Sequence, residues 1–106
     1  MIILLWLTTL LFIGALNEAI SDIFGMLVDA FIGKSENEIW LSFETSWTPG
    51  VGGDALRYMC DPERDRANNF GGEFYSRGYY PDRYQGASDY GGVHFNSGIA
   101  NLGEFM

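Results

Sequence analysis

Three acidic residues of this 106-residue sequence are spaced so that their side chains meet on one face of a helix. At about 100° per residue, Glu18, Asp22 and Asp29 fall within roughly 40° of one another. No Lys or Arg lies between Met1 and Ile32, so no local ion pair neutralises this face. A set of unneutralised carboxylates can contribute ligands to a metal, or it can form an ordinary solvated face. The helix alone leaves both interpretations open.

The element that must carry these carboxylates is predicted to be an amphipathic helix from Leu16 to Phe31. Asn17 is a suitable N-cap, and Gly33 is a suitable stop because glycine adopts the left-handed conformation at helix ends. Four large apolar residues recur on the side opposite the carboxylates, and we expect this stripe to be buried. The stripe consists of Ile20, Phe24, Leu27 and Phe31.

The amino-acid sequence of this helix carries information beyond the spacing of its acidic residues. The segment Gly14-Ala-Leu-Asn-Glu-Ala-Ile-Ser-Asp-Ile-Phe-Gly25 resembles the zinc-ligand helix of the thermolysin-like neutral metalloendopeptidases. The resemblance implies that Glu18 is the third zinc ligand. It also implies that the Asp22 carboxylate binds the outer nitrogen of an imidazole that is itself bound to zinc. The spacing agrees with that role, because position i+4 lies one turn further along the same helix face.

Two later segments resemble the same family and follow in the family's order. Gly53-Asp-Ala-Leu-Arg-Tyr-Met-Cys-Asp-Pro62 contains Arg57, which the resemblance implies hydrogen-bonds a substrate carbonyl through its planar fork of donors. Asp89-Tyr-Gly-Gly-Val-His-Phe-Asn-Ser-Gly-Ile99 contains His94, the only histidine, which would donate to the oxyanion while Asp89 orients its ring. Tyr90 replaces the family's usual Asn. Considered singly, Arg57 also fits a packed surface cation and His94 a structural histidine.

Calcium is the second cation that the resemblance implies. In the family, an acidic residue late in the ligand helix joins acids of the following loop around structural calcium. These would be Asp29 and Glu44, with Glu38 as a weaker candidate. The loop departs from the family's usual wording, and an exposed acidic loop remains the alternative interpretation.

Composition excludes several classes of partner. Fourteen acidic against six basic residues give a net charge of −8, which disfavours nucleic acid and anionic membrane surfaces. Cys60 is the only cysteine, so the chain can form no internal disulfide and no thiolate zinc site. The length fits one domain or less.

Residues 1–13 form an apolar leader without a charged side chain. Three interpretations compete for it: a secretory signal, a weak membrane anchor extending through residues 1–16, or an unrelated leader that replaces the upstream part of a larger protein. We favour the last. Residues 14–106 are then expected to form a partial C-terminal domain of the thermolysin-like fold, mainly α with long irregular loops. A short strand is predicted around Ile39 to Phe43, an irregular connection over Glu63 to Gln85, and a helix starting at Ile99.

The family's other two zinc ligands and its general base lie on a His-Glu-x-x-His helix, and a sequence with one histidine cannot contain that motif. A catalytic zinc needs about three protein ligands. The expected function is therefore that of a fragment of a secreted zinc metalloendopeptidase, which acts on peptide or protein substrates and is inactive without the upstream segment. The alternative is a non-catalytic remnant that is membrane-tethered or binds calcium.

Overall fold

A computed structural model describes residues 2–43, 50, 52–69 and 72–106, and within these it leaves out the side chains of residues 2–11, 67–69 and 105. Helix α1 spans Ile2–Phe31, the one-turn helix α2 spans Glu36–Ile39, and α3 spans Ser88–Phe105. Strands β1 (Leu41–Ser42) and β2 (Arg57–Tyr58) and 3-10 helices at Pro62–Asn69 and Tyr80–Asp82 lie between α2 and α3. The predicted fold class, mainly helical with long irregular loops, is confirmed.

Helix α1 begins well before the predicted start. Asn17 was expected to cap it, but the helix is already established at Ile2, so Asn17 is an interior residue. The apolar run upstream contains no proline and continues the helix without a break. The predicted end is confirmed: Gly33 has φ +88°, its N–H donates to Ala30, and the N–H of Lys34 donates to Asp29. This pair of bonds is a Schellman motif.

The buried face of α1 is not the face that the periodicity suggested. Ile20 is 52% exposed, Phe24 64% and Phe31 91%, and Leu27 is exposed as well, so the expected burial of this stripe is wrong. The residues that are buried share the side of the helix that faces α3. They are Ala15, Ala19, Asp22 and Met26.

Small residues explain why α3 packs on this side. The two alanines offer no bulk, and a Cβ added to Gly14 would lie 2.7 Å from Cγ1 of Val93, so the two helices approach closely there. Close packing of the two helices along these small residues gains dispersion energy from many short contacts. Asp22 can be buried on this face because it has a cationic partner.

Helix α3 starts with a left-handed turn. Asp89, Tyr90, Gly91 and Gly92 have φ values of 54°, 50°, 84° and 85°, and the right-handed helix continues after them. The helix thus begins before the predicted start at Ile99. A Cβ on Gly92 would lie 2.7 Å from Cδ1 of Tyr84, so both the conformation and the space at this position require glycine. The turn brings Asp89 back to the amide groups that follow it.

A two-stranded antiparallel ladder positions the basic residue of the site. Leu41 pairs with Tyr58 and Ser42 with Arg57, and the N–H of Met59 donates to the carbonyl of Trp40 at 2.9 Å. The strand predicted around Ile39 to Phe43 is therefore present, although it is limited to two residues. Of the residues whose placement is described, no helix has the length and hydropathy required to cross a membrane.

The segment between β2 and α3 is largely irregular, as predicted, and it packs against α3 through polar contacts. Within the segment, Asp65 accepts hydrogen bonds from the N–H and hydroxyl of Ser76. The N–H of Arg77 donates to the carbonyl of Phe95 on α3 at 2.7 Å. Asn96 holds Tyr84 through two bonds, accepting from its N–H at 2.7 Å and donating to its carbonyl at 3.0 Å. These bonds anchor the loop to the helix that carries the histidine.

Candidate active site

The first half of the site consists of three side chains in contact, in which His94 lies between Glu18 and Asp89. Asp89 accepts from the backbone N–H groups of His94 and Phe95 at 2.8 and 3.2 Å, and its other oxygen contacts Nδ1 of the His94 ring. An ionised carboxylate only accepts, so Nδ1 carries a proton and Nε2 is the outward nitrogen. Nε2 lies 3.3 Å from Oε2 of Glu18. The ring is therefore held from one side and presented to α1 on the other.

The second half is a buried ion pair between α1 and β2. Nε of Arg57 donates to Oδ2 of Asp22 at 2.8 Å and Nη2 donates to Oδ1 at 2.5 Å, which is the bidentate geometry that a guanidinium favours. Asp22 is 8% exposed. Asn101 adds a third bond, because its Nδ2 donates to Oδ2 of Asp22 at 2.8 Å. Both carboxylate oxygens are thus fixed by residues from two other elements.

The two halves are joined by α1, on which Glu18 and Asp22 lie one turn apart. The structure brings together the five residues that the sequence placed in the catalytic site, although they are spread over most of the chain. They are Glu18, Asp22, Arg57, Asp89 and His94. Helix α1 carries one residue of each half, and the contacts join Glu18 to His94 and Asp22 to Arg57. The roles of these residues remain proposals.

Asn101 is the residue that sequence analysis missed. It is 1% exposed and lies two helical turns after His94, which places both residues on the face of α3 that meets α1. That spacing was a usable signal. A polar residue seven positions after a candidate site residue, on a helix that must pack against another, is expected to reach the same interface.

The two expected calcium ligands that the structure describes, Asp29 and Glu38, each contact a different residue. Oδ1 of Asp29 lies 3.1 Å from Nζ of Lys34, so this carboxylate already has a cationic neighbour. Glu38 accepts from both the N–H and the hydroxyl of Ser35, and the hydrogen bond from the Ser35 backbone is the main reason that the pKa of Glu38 is lowered. Glu44 lies outside the described residues. Calcium binding therefore stays a prediction.

A cavity of about 470 Å³ lies beside the buried ion pair, between α1 and the β1–β2 ladder. Asp22 and Arg57 form part of its wall, and Met26, Ile39 and Met59 supply apolar surface. A space of this size accommodates a small ligand or a side chain. The fixed guanidinium of Arg57 is thus next to a space that a peptide group can enter.

The metal-ligating side chains that the structure describes fall short of a complete zinc site. Among the residues that the structure describes, no three His, Cys, Asp or Glu side chains are grouped to hold a metal ion. Glu18 is suited to be one ligand, since its half-buried carboxylate is free of the backbone bonds that occupy Asp89. Zinc in a catalytic site takes about three protein ligands, so the described residues do not complete one.

A family model supports the interpretation of the fold. The model of the thermolysin metallopeptidase alpha-helical domain matches residues 13–105. The chain belongs to this metallopeptidase family. It is 49% identical over 93 residues to bacillolysin of Bacillus cereus, and that match covers 88% of this chain and 14% of the relative.

Other relatives give the same picture. The chain is 44% identical over 93 residues to the thermostable neutral protease NprT of Geobacillus stearothermophilus and 43% identical over 93 residues to thermolysin of Alicyclobacillus acidocaldarius subsp. acidocaldarius. Each match covers 88% of this chain and 15% of the relative. The chain thus spans about one seventh of the length of these curated relatives.

Proposed function

We propose that this chain supplies the substrate-stabilising half of a zinc metalloendopeptidase active site. One observation carries the proposal: adjacent turns of α1 bind a histidine through Glu18 and an arginine through Asp22. A single helix thereby places a carboxylate, an imidazole and a guanidinium at one surface. Hydrolysis of a peptide bond develops negative charge on the carbonyl oxygen, and fixed donors beside that oxygen lower the barrier.

Each residue is assigned a role that its contacts allow. His94 donates from Nε2, the nitrogen that lies 3.3 Å from Oε2 of Glu18, to an oxyanion that forms beside this carboxylate, and Asp89 fixes the ring through Nδ1. Arg57 has used Nε and one N–H of Nη2 on Asp22, which leaves donors of the same planar fork for a substrate carbonyl. Asp22 orients Arg57 through bonds to both of its carboxylate oxygens. It is also proposed to bind a zinc-ligating imidazole from outside this sequence.

Glu18 is the residue proposed to bind zinc. When bound, zinc polarises the scissile carbonyl and lowers the pKa of water. The remaining ligands and the general base are proposed to come from the His-Glu-x-x-His segment of the family, which makes that segment a required partner. Secretion and action on peptide or protein substrates belong to the same proposal.

A chimera tests this function in a folded enzyme. Residues 13–105 of this chain would replace the matching 93 residues of Bacillus cereus bacillolysin, to which they are 49% identical. We expect the chimera to hydrolyse a fluorogenic peptide in a chelator-sensitive manner. Glu18→Ala and His94→Ala should each reduce turnover by about 100-fold or more, as is typical for loss of a metal ligand or an oxyanion donor.

The matched control is Glu36→Ala, which removes an exposed carboxylate from the short helix α2 and should leave turnover unchanged. A chimera that folds and binds zinc but hydrolyses no peptide would contradict the proposed function. Equal losses in Glu36→Ala and Glu18→Ala would show that the effect is not specific to the site.

A further inference from the structure

Two polar contacts, one turn apart on α1, join this helix to α3. In the first, Nε2 of His94 lies 3.3 Å from Oε2 of Glu18. In the second, Nδ2 of Asn101 donates to Oδ2 of Asp22 at 2.8 Å. His94 and Asn101 are separated by two turns of α3, so the two contacts lie along one interface. A shift of α3 along α1 would break both.

The amide of Asn101 is placed at a cost. It is 1% exposed, and among the described residues its Oδ1 has no hydrogen-bond partner. A buried acceptor without a donor is unfavourable, and an apolar residue of similar size would avoid that penalty. The bond that this side chain does make is its Nδ2–H bond to Asp22. The hydrogen bond from Nδ2 to Asp22 therefore accounts for an asparagine at this buried position better than packing alone does.

The bond from Asn101 is made to Oδ2 of Asp22, an oxygen that also binds Arg57. Oδ2 of Asp22 accepts from Nε of Arg57 and from Nδ2 of Asn101, while Oδ1 accepts from Nη2. Asn101 thereby fixes the plane of the carboxylate, and the carboxylate in turn fixes the plane of the guanidinium. Removing the amide leaves the Asp22 carboxylate without its bond to α3, so that among the described contacts Arg57 alone orients its terminal torsion.

We infer that Asn101 is a positioning residue for Arg57 and His94: it holds the Asp22 carboxylate in the plane that binds Arg57 and sets the register of α3 that presents His94 to Glu18. The meaning of this inference for catalysis rests on the proposed function. The geometry does not, and it can be measured in this chain without zinc or peptide.

The test follows the Nε–H groups of arginine by NMR in the full chain labelled with 15N-arginine. In the unmodified chain, Nε–H of Arg57 should exchange slowly with solvent because it is bound to Asp22. In Asn101→Leu we expect exchange at Arg57 to accelerate about tenfold, the factor that corresponds to loss of one hydrogen bond to a charged group. Arg77 is the internal reference: its Nη1 and Nη2 donate to the carbonyls of Tyr75 and Glu73, and its Nε is buried without a hydrogen-bond partner among the described residues, so its exchange reports opening of the structure.

The matched control is Asn96→Leu, which removes another buried asparagine of α3 that binds Tyr84 and not Asp22. It should not accelerate exchange at Arg57 beyond the change at Arg77, because Asn96 lies next to the contacts of Arg77 with Tyr84 and Phe95 and makes none with Asp22. Selective acceleration at Arg57 in the Asn101 variant supports the inference. Unchanged exchange at Arg57, or equal acceleration in both variants, would overturn it. If Asn101→Leu does not fold, Asn101→Ser decides by the same criteria, since it removes the amide without adding bulk.

Discussion

The charge of Asp22 is stable in the protein interior only because its two oxygens are fully engaged. The side chains of Asp22 and Arg57 are 4% and 16% exposed, so solvent does little to screen the pair. Breaking such a pair leaves one charge buried without a partner, which typically costs about 3–5 kcal/mol. Asp22→Asn should therefore lower the free energy of unfolding by about 3 kcal/mol, measured by urea denaturation of the chain.

The pair between Asp29 and Lys34 is the natural comparison. Its side chains are 25% and 30% exposed, and ion pairs at the surface contribute about 0–1 kcal/mol. Lys34→Met should therefore change the unfolding free energy by less than about 1 kcal/mol. Equal effects of Asp22→Asn and Lys34→Met would refute the view that burial makes the first pair important.

Glu38 provides a prediction about pH. Hydrogen bonds from the backbone and then the hydroxyl of Ser35 lower the pKa of Glu38 from its usual range. A carboxyl group whose pKa is lower in the folded state contributes stability above its unfolded pKa, and that contribution disappears as the pH falls through the folded value. Ser35→Ala should therefore raise the pKa of Glu38 only in part, since the backbone bond remains. A carboxyl-detected NMR titration measures it, and an unchanged pKa would contradict the role of the hydroxyl.

At the scale of elements, α1 has one face that tolerates substitution and one that does not. Phe24 is 64% exposed whereas Ala19 is 1% exposed against the interface with α3. Phe24→Glu should change the unfolding free energy by no more than about 0.5 kcal/mol, as surface substitutions usually do. Ala19→Leu should lower it by about 1–3 kcal/mol, because extra bulk separates two closely packed helices.

Both variants can be compared by urea denaturation with a common slope, so that a shift in midpoint reports stability. The order of the two effects is the decisive result. If Phe24→Glu destabilised the chain more than Ala19→Leu, the buried face would be the apolar stripe after all. The contact of α1 with α3 described here would then be wrong.

The same helix shows what sequence could and could not predict. Its existence, its stop at Gly33 and the two faces follow from local periodicity and glycine geometry. Which face is buried does not, because that depends on Arg57, 35 positions beyond Asp22, and on the close approach of Val93 to Gly14. Hydrophobicity alone assigned the acidic face to solvent. The buried ion pair and two small alanines reversed that assignment.

The site was more predictable than the packing, for a physical reason. The segments around Glu18, Arg57 and His94, which are proposed to bind metal and substrate, resemble the family closely enough to mark these residues as site candidates. Asn101 supports those residues indirectly, and no phrase identified it. The left-handed turn of Asp89–Gly92 agrees with its glycine pair, because glycine adopts positive φ without strain. The earlier start of α3 was not, since glycines weaken a helix prediction.

At the scale of the whole molecule, a broad apolar stripe of α1 faces solvent in a chain that spans about one seventh of its relatives' length. Exposed apolar patches of several hundred Å² mark interaction surfaces or promote aggregation. The active-site face and this stripe lie on different sides of α1, so substitutions on the stripe and substitutions in the site can be studied separately.

The last prediction concerns the chain alone. It should have no appreciable endopeptidase activity, because Glu18, if it binds zinc as proposed, supplies one of the about three protein ligands that a catalytic zinc requires. Losing a single outer partner of a metal ligand already costs about 10 to 100-fold in metal affinity or activity, so a site short of two direct ligands should leave zinc largely unbound at micromolar concentrations. Calorimetric titration with zinc and a fluorogenic peptide assay measure both quantities. Chelator-sensitive turnover that is lost in Glu18→Ala and in His94→Ala would refute the prediction, since it would mean that these residues suffice without the two upstream histidines.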